Sequence, residues 1–229
     1  MFSGGMGPVY LRLMFTGLLY TLAISAGSLA IGAIVGFILG AGRASSVPWL
    51  RAVIMVYVEA IRSIPLLIFL FLVFYGLPVV TGIAIPPLTA AIITQGIYVS
   101  AYMTEIVRAG IQAVPSGQWQ ASRALGLGYG RTMRWIILPQ ALRIMIPPGA
   151  GLFIANIKDS SLASIIGVNE LTQTALNIRQ QTLSNWDVFA LLTFGYLVIN
   201  SVVSVLSTRL EHRLRRSERF RVMVEQEET

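Results

Sequence analysis

The stretch VPSGQWQASRALGLGYGRTMRWIILPQALRIMIPP, residues 114–148, lies between two strongly apolar segments and carries arginines and glycines but no acid. Pro115 and Ser116 are typical of a helix start and Gly126 of a helix end, which predicts a surface helix of about three turns. One face of this predicted helix is apolar and carries Ala121, Ala124 and Leu125. The polar residues Gln118, Gln120 and Arg123 face elsewhere. Two interpretations stay open: a docking loop that passes on a push from a soluble partner, or an interfacial helix that only anchors the loop.

The composition indicates an integral membrane protein. Apolar residues make up 55% of the 229 residues, charged residues only 12%, and the mean hydropathy is +0.72. That composition leaves too little polar surface for a soluble globule of this length. The formal net charge of +7 comes mainly from arginines between apolar stretches, which favours membrane orientation over a nucleic-acid surface.

The apolar pattern predicts an all-α membrane protein with about five transmembrane helices, because a spanning helix needs about 20 mostly apolar residues. The predicted spans are residues 13–39, 53–80, 87–107, 136–157 and 188–207. They form one transmembrane domain over residues 1–229, with a loop at 114–135 and a basic tail at 208–229. The first span is too long for a cleaved signal peptide, so we expect a permanent helix there.

Most arginines fall on one side of these spans, and their distribution orients the chain. The arginines on that side are Arg43, Arg51, Arg108, Arg123, Arg131, Arg134, Arg143 and the six in residues 209–221. Arg12, Lys158 and Arg179 remain on the other side. Because positive loops favour the cytoplasm, the N-terminus is predicted outside and the C-terminus inside, with the helix between the third and fourth spans cytoplasmic.

Two predicted spans depart from an unbroken apolar helix. In span 53–80, Pro65 cannot donate a backbone hydrogen bond, so either the helix kinks there or the membrane-embedded part starts near Ile64. Span 136–157 contains Pro147 and Pro148 and is followed by polar residues. A broken or short helix whose end lines a cavity is therefore expected in this span.

The sequence offers few groups for catalysis or metal binding. It has no cysteine, and its one histidine, His212, lies in the charged tail. We therefore expect no catalytic residue, no metal site and no cofactor in this chain. The only lysine, Lys158, is followed by Asp159 and lies in no glycine-rich phosphate loop, so ATP hydrolysis by this chain is not expected.

Several motifs of this chain resemble one family. The loop residues Gln120, Ala121, Ser122, Gly126, Ile136, Leu138 and Pro139 are similar in type and spacing to the E-A-A…G…I-x-L-P loop of permease subunits in bacterial ATP-binding cassette importers. Three stretches, EAIRSIPLL from Glu59, AYMTEIVRAGI from Ala101 and KDSSLASIIGVNELT from Lys158, resemble the polar amino acid branch. The chain departs from the family pattern at Gln120, where Glu is usual, and at Ser122, where Ala is usual.

The resemblance implies a permease subunit of a type I, binding-protein-dependent importer, multi-pass in a bacterial inner (cytoplasmic) membrane and surrounded by membrane lipid. Its implied partners are a second permease subunit, identical or homologous, an extracytoplasmic amino acid binding protein, and two copies of an ATPase that binds ATP and Mg. No nucleic acid is implied. The implied contacts to the ATPase come from a coupling helix with Gln118, Gln120, Ala121, Ser122, Arg123, Leu125 and Gly126.

Polar groups inside membrane spans are costly and are therefore candidates for a substrate path. The candidates are Glu59, Arg62, Tyr98, Tyr102, Asn156, Lys158, Asp159, Ser160 and Ser161. Lys158 and Asp159 carry the two charges that a zwitterionic amino acid needs from its site. Alternatives stay open: a Glu59–Arg62 ion pair, packing of the two tyrosines, or capping of a following helix by Asp159 or Ser160.

Glu105 and Arg108 lie three residues apart near the cytoplasmic end of the third span, and we expect a gating or structural role for them.

The main alternative function for the chain is a secondary carrier or channel for amino acids that works without an ATPase. Three features argue against it: no discernible inverted repeat, few acids deep in the spans, and a large cytoplasmic loop with helical character.

Overall fold

A computed structural model describes the backbone of residues 7–227 and the side chains of residues 7–211, and this part of the chain is helical with no strand. The helices are α1 (Gly7–Arg43), α2 (Pro48–Ser63), α3 (Leu66–Phe71), α4 (Leu77–Thr81), α5 (Pro87–Gln112), α6 (Ser116–Ala124), α7 (Tyr129–Thr132), α8 (Leu138–Asp159), α9 (Leu171–Thr182) and α10 (Asn185–Glu227). A π-helical turn, Leu72–Gly76, joins α3 to α4, and another, Met133–Ile137, joins α7 to α8. A 3₁₀ turn, Ser160–Ile166, continues α8.

Three helical stretches of the described chain are long and apolar enough to cross a membrane: Gly7–Arg43, Tyr129–Ile166 and Asn185–Glu211. The bent pair Pro48–Ser63 and Leu66–Thr81 adds a fourth if it counts as one crossing. α5 is 26 residues long, but its buried face carries several polar side chains. The prediction of an all-α, multi-pass membrane protein is confirmed, whereas the count of five crossings and their orientation stay predictions.

The chain bends by 99° between α2 and α3. Ile64 has an extended backbone there, and Pro65, which has no N–H to continue the helical ladder, precedes the first residue of α3. Residues 53–80 are therefore not one straight helix, and the break lies at the proline.

α8 runs through Pro147 and Pro148 without interruption, so the alternative of a helix broken at these prolines is wrong. Each proline removes one donor, but the hydrogen bonds before and after it remain. The irregular backbone lies instead at the two ends of α8, in the π turn and the 3₁₀ turn. α10 is longer than the predicted span 188–207 and includes the basic tail up to Glu227, although side chains from His212 onward lie outside the described set.

The most extensive helix packing joins α1 to α5, and it depends on glycines. Gly32, Gly36 and Gly40 lie on one face of α1, four residues apart. A Cβ atom on Gly36 would lie 2.5 Å from the Met103 Cβ atom and 2.9 Å from the Ser100 carbonyl oxygen, closer than real Cβ contacts allow. Small residues at such positions let two helix backbones approach closely, which is how helices associate within a membrane.

A buried polar cluster continues this contact and adds α8 to it. The Asn156 side-chain amide donates to the Ser25 carbonyl oxygen at 2.8 Å and to the Ser28 hydroxyl at 3.0 Å. The Gln95 amide donates to the Asn156 carbonyl oxygen at 2.6 Å. Because buried polar groups are stable only when hydrogen-bonded, this cluster fixes the rotation of α1, α5 and α8 relative to one another.

We predict that Gly36→Ala destabilises the protein by about 1–3 kcal/mol, because the added methyl group overpacks the α1–α5 contact. Thermal unfolding of the purified chain in detergent measures this effect. Gly151→Ala is the matched control: a Cβ at Gly151 has no neighbour within 4 Å. The control is expected to raise stability slightly, by about 0.5–1 kcal/mol, since alanine favours the helix. Equal unfolding temperatures for the two variants would contradict the glycine argument.

Candidate functional site

Helix α6 lies at the end of the bundle where α5 finishes and α8 begins. Ser122 is buried, and its hydroxyl donates to the Gln118 carbonyl oxygen at 2.6 Å. Trp119, three residues earlier, packs against the apolar cluster of α5 and α8. The predicted apolar stripe is wrong, since Ala121 and Ala124 are exposed and Leu125 is 78% exposed. The bundle is contacted through Trp119 and Ser122 instead, because the indole ring offers far more apolar area than two alanines.

This orientation leaves most of the predicted coupling residues accessible in the isolated chain. Gln118, Gln120, Ala121, Arg123, Leu125 and Gly126 are exposed, while Ser122 faces the bundle. An exposed leucine beside an arginine and two glutamine amides is a mixed surface of the kind that protein partners contact.

Gly126 ends α6 with a backbone that side chains rarely adopt, at φ +73°. The Leu127 N–H donates to the Ser122 carbonyl oxygen at 3.0 Å, and the Gly126 N–H donates to the Arg123 carbonyl oxygen at 2.9 Å. These two bonds define a Schellman motif, in which a left-handed residue closes the helix. The helix end predicted at Gly126 is confirmed, and its cause is local backbone geometry.

The loop is attached to both neighbouring spans. Val114, at the end of α5, and Ile137, at the start of α8, belong to one buried cluster, and Trp119 and Met133 pack against it. The Trp119 and Tyr129 rings stack with centroids 5.6 Å apart. The helix α6 is therefore connected to both α5 and α8 through packed side chains.

A charged cluster lies nearby and joins α1 to α5. The Glu105 carboxylate contacts the Arg43 Nε atom at 2.8 Å and the Arg108 guanidinium at 2.9 Å. The Arg108 Nε atom donates to it at 3.0 Å, but the Arg43 contact lacks hydrogen-bond geometry and is an ion pair only. Arg43 and Glu105 are only 15% and 21% exposed. The gating or structural role of Glu105 and Arg108 stays a prediction. The cluster adds Arg43, which sequence reasoning had assigned to orientation alone.

Part of the predicted substrate path forms a cluster on α2 and α5. The Arg62 guanidinium lies 5.2 Å from the centroid of the Tyr102 ring, and the Tyr98 and Tyr102 hydroxyls are 3.1 Å apart. Glu59 contacts Arg62 only at 4.0 Å, with its side chain 61% exposed, so the ion pair is weak.

Lys158 and Asp159 are neighbours in sequence but line different cavities. Asp159 lines a small cavity with Gln95 and Leu66. Lys158 lies in an open groove between α8 and α10, where Asn200 is one of several polar residues. The two charges of the predicted site for a zwitterion therefore line separate spaces.

Three other predicted path residues serve the helices themselves. Asn156 is 1% exposed and belongs to the buried polar cluster. The Ser160 hydroxyl donates to the Ile157 carbonyl oxygen and the Ser161 hydroxyl to the Lys158 carbonyl oxygen, each at 2.7 Å. The structure does not bring these three side chains together with Arg62 and the tyrosines.

The cap of α9 is Glu170, which sequence reasoning did not single out. Its carboxylate accepts hydrogen bonds from the backbone N–H groups of Thr172 and Gln173, at 2.9 and 2.8 Å. Asp159, which precedes the 3₁₀ turn, makes no side-chain cap bond. The capping alternative for Asp159 is therefore wrong. The sequence signal for the cap of α9 was the position of Glu170, an acid directly before the amphipathic segment LTQTALNI. Desolvation by burial raises the pKa of the Glu170 carboxyl, and these backbone N–H groups oppose that rise.

Within the described residues, no group of three or more His, Cys, Asp or Glu side chains could hold a metal ion. The described chain places α6 at one end of the bundle, a buried polar cluster within it and the capped helix α9 at the other end.

Residues 32–216 match a family described as "Binding-protein-dependent transport system inner membrane component". The match covers most of the chain, and the protein belongs to this family of ATP-binding cassette transporter permeases. It is a membrane transport subunit, and ATP is hydrolysed by a separate component of such transporters.

Curated relatives agree over nearly their whole length. The chain is 37% identical over 215 residues to the probable glutamine permease GlnP of Bacillus subtilis, covering 93% of this chain and 98% of the relative. It is 40% identical over 201 residues to the L-cystine permease TcyB of Bacillus subtilis, covering 87% and 86%. It is 35% identical over 204 residues to the glutamine permease GlnP of Escherichia coli, covering 89% and 93%.

Solved structures share the fold. The crystal structure of an amino acid ABC transporter with histidines superposes with a TM-score of 0.84 at 34% identity, over 93% of this chain and all of that one. The inward-facing methionine transporter MetNI superposes with a TM-score of 0.80 at 22% identity, over 93% and 99%. The second likeness concerns the fold alone.

We predict that Gly126→Ala weakens attachment of the ATPase partner, because a Cβ atom in the left-handed region costs about 1–2 kcal/mol and loosens the end of α6. Co-purification with the partner measures the loss. Gly128→Ala is the matched control, since Gly128 has φ −69° and open space around a Cβ atom. Equal recovery of the partner with both variants would show that the closure at Gly126 does not matter for docking.

Proposed function

We propose that this chain is the permease subunit of an ATP-driven importer that takes a polar amino acid from an extracytoplasmic binding protein. It passes the amino acid across a bacterial inner membrane by alternating access. Membership of the permease family over residues 32–216 is the observation that carries this proposal. Relatives named for glutamine and for cystine support an amino acid as the cargo, without selecting one.

The proposed topology has five crossings: α1, the bent unit α2 to α4, α5, α8 and α10. At 26 residues, α5 is about 39 Å long, which exceeds the roughly 30 Å of a hydrocarbon core. Its polar side chains are tolerated because they are buried against α1 and α8 and not against lipid. An odd number of crossings, with the arginine-rich loop inside, leaves the N-terminus outside and the C-terminus in the cytoplasm.

The proposed docking site for the ATPase is the exposed face of α6. Its residues are accessible, its C-terminal closure is rigid, and it is packed onto the ends of two spans. Two ATPase copies, which carry the ATP and Mg, would press on one such loop each. A carrier that works without an ATPase would gain nothing from this surface, and the family membership disfavours that alternative.

A second permease subunit, identical or homologous, is proposed because the single chain leaves polar groups uncovered at membrane depth. The groove between α8 and α10 contains Lys158, Asn200, Ser201 and Ser204. Such groups are stable within a membrane only against protein or water. A second subunit supplies the missing wall of the path.

The proposed contacts to the amino acid come from the cluster of Arg62, Tyr98 and Tyr102 and from Asp159, which lines a small cavity with Gln95 of α5, the helix of the two tyrosines. A guanidinium suits the α-carboxylate and a carboxylate suits the α-ammonium, while two tyrosine hydroxyls offer further hydrogen bonds. The Arg62 guanidinium stays available to a substrate carboxylate, because its ion pair with Glu59 is long and exposed. Lys158 is assigned to the subunit wall, since it lines the other groove.

We predict that the purified chain alone hydrolyses no ATP, and that in liposomes it imports amino acid only with the ATPase subunit, ATP and a loaded binding protein. The physical reason is that the chain has no phosphate-binding loop. Uptake of radiolabelled amino acid is measured with one component left out at a time: the permease, the ATPase subunit, ATP or the binding protein. Uptake that persists without any ATPase would establish the carrier alternative.

We predict that Asp159→Asn lowers uptake by roughly 10- to 100-fold at subsaturating amino acid, the range expected for losing one hydrogen bond to a charged group. Glu211→Gln is the control, because it removes the same charge from the part of α10 that is assigned to the cytoplasmic side. The control should transport normally. Normal uptake by Asp159→Asn would remove this residue from the substrate path.

A further inference from the structure

Glu170 is a fully buried acid that neither the docking loop nor the substrate cluster uses. It is 0% exposed and lies at the first turn of α9, at the opposite end of α8 from the docking loop. Besides the two backbone N–H groups that it caps, it accepts the Tyr196 hydroxyl at 3.1 Å and the Thr21 hydroxyl at 3.3 Å. One carboxylate therefore joins α9 to α10 and to α1.

Glycines on both flanking helices bring the backbones close to this carboxylate. A Cβ atom on Gly17 of α1 would lie 2.6 Å from the Thr174 hydroxyl and 3.1 Å from the Glu170 carbonyl oxygen. A Cβ atom on Gly195 of α10 would lie 3.2 Å from a methyl group of Leu171. The first turn of α9 is thus clamped between two helices, and only this arrangement satisfies a carboxylate that water does not reach.

The apolar face of α9 is bound to the same two helices. Leu171, Ala175 and Ile178 are buried in one cluster with Tyr10 and Met14 of α1 and Val188 and Ile199 of α10. The Thr21 hydroxyl also accepts the Leu171 N–H at 3.1 Å. α9 therefore moves together with α1 and α10, because any separate motion breaks both the cluster and the bonds to Glu170.

The far end of α9 is as exposed as its start is buried. Gln180 and Gln181 are exposed, Leu183 just after α9 is 86% exposed, and Trp186 in the adjoining first turn of α10 is 89% exposed. Leu183 also has a left-handed backbone, φ +53°, and its N–H donates to the Arg179 carbonyl oxygen at 2.8 Å, so this residue closes the C-terminal end of α9. This edge protrudes at the end of the bundle that the arginine distribution assigns to the exterior, where the binding protein arrives.

A short connection joins α9 to Asp159. The 3₁₀ turn between Asp159 and Glu170 is packed, with Ala163, Ile166 and Val168 buried against α1, α3 and α5. Movement of α9 is therefore passed to the segment that carries Asp159.

We propose that Glu170 is a positioning residue: by tying α9 to α1 and α10, it lets contact of the binding protein with the protruding edge of α9 reach the transmembrane helices. This inference rests on the proposed function and assigns its outer contact. The residue touches no substrate, and it acts through the helix that it holds.

The test uses the assembled permease and ATPase in nanodiscs and measures ATP hydrolysis as loaded binding protein is titrated, relative to the basal rate of each variant. Glu170→Gln keeps the shape and replaces one acceptor oxygen by an NH₂ group, and Tyr196→Phe removes one hydroxyl donor. Both are expected to raise the half-stimulating concentration of binding protein about tenfold, the effect of weakening one hydrogen bond to a charged acceptor.

Tyr57→Phe is the matched control. It also removes a part-buried tyrosine hydroxyl, which in the native chain lies 2.6 Å from the Ser100 hydroxyl, but it loosens α2 from α5 and leaves α9 intact. Unchanged half-stimulation in Tyr57→Phe with a shift in the other two variants supports the assignment. No shift in Glu170→Gln and Tyr196→Phe, or an equal shift in all three, would overturn it. If wild-type protein is not stimulated at all, the proposed function itself fails, and the assignment falls with it.

Discussion

The close approach of α1 to α5 is the contact on which the rest of the structure depends. Lipid tails are as apolar as the side chains, so burial of apolar surface gives little force for helix association in a membrane, and close packing and hydrogen bonds must supply it. Gly32, Gly36 and Gly40 allow the backbones to meet, and Ser25 and Ser28 then reach Asn156 of α8. With these three helices fixed, the chain between α5 and α8 can only turn back at one end of the bundle, which is where α6 lies.

Each end of α8 lies beside a short helix that is held against the bundle, and the contacts that hold it differ between the two ends. At one end, Trp119 and Ser122 hold α6 against the bundle and leave its polar face uncovered. At the other, Glu170 and its four donors hold α9 against α1 and α10. Both are short helices whose position is set by buried contacts, and both leave one surface free. Because a packed interior deforms little, a push on one element moves its packed neighbours as a rigid unit. Two short helices fixed at opposite ends of the bundle therefore suit a protein that partners contact from both sides of a membrane.

Sequence reasoning identified features that lie within single segments, and it often missed which residues contact one another across segments. The end of α6 at Gly126 was predictable because the signal is local: a glycine after a short helix. The apolar stripe of α6 was not, since a nine-residue helix offers several faces and the bundle decides which one is used. Lys158 and Asp159 looked like a pair because they are adjacent, yet successive residues on a helix point about 100° apart. Glu170 escaped notice because an acid in a polar stretch normally faces water, and only α1 and α10 together exclude water from it.

The sequence by itself determined the class of protein. Apolar runs, arginine placement and the absence of cysteine act through solvent transfer and local chemistry, which need no knowledge of neighbours. It also determined the break at Pro65 and the closure at Gly126, because missing donors and left-handed backbones are properties of single residues. Only the tertiary structure decided that Arg62 lies over the Tyr102 ring and that Arg43 pairs with Glu105. Those pairings join residues far apart in the chain, and they follow from how the helices are rotated against one another in three dimensions.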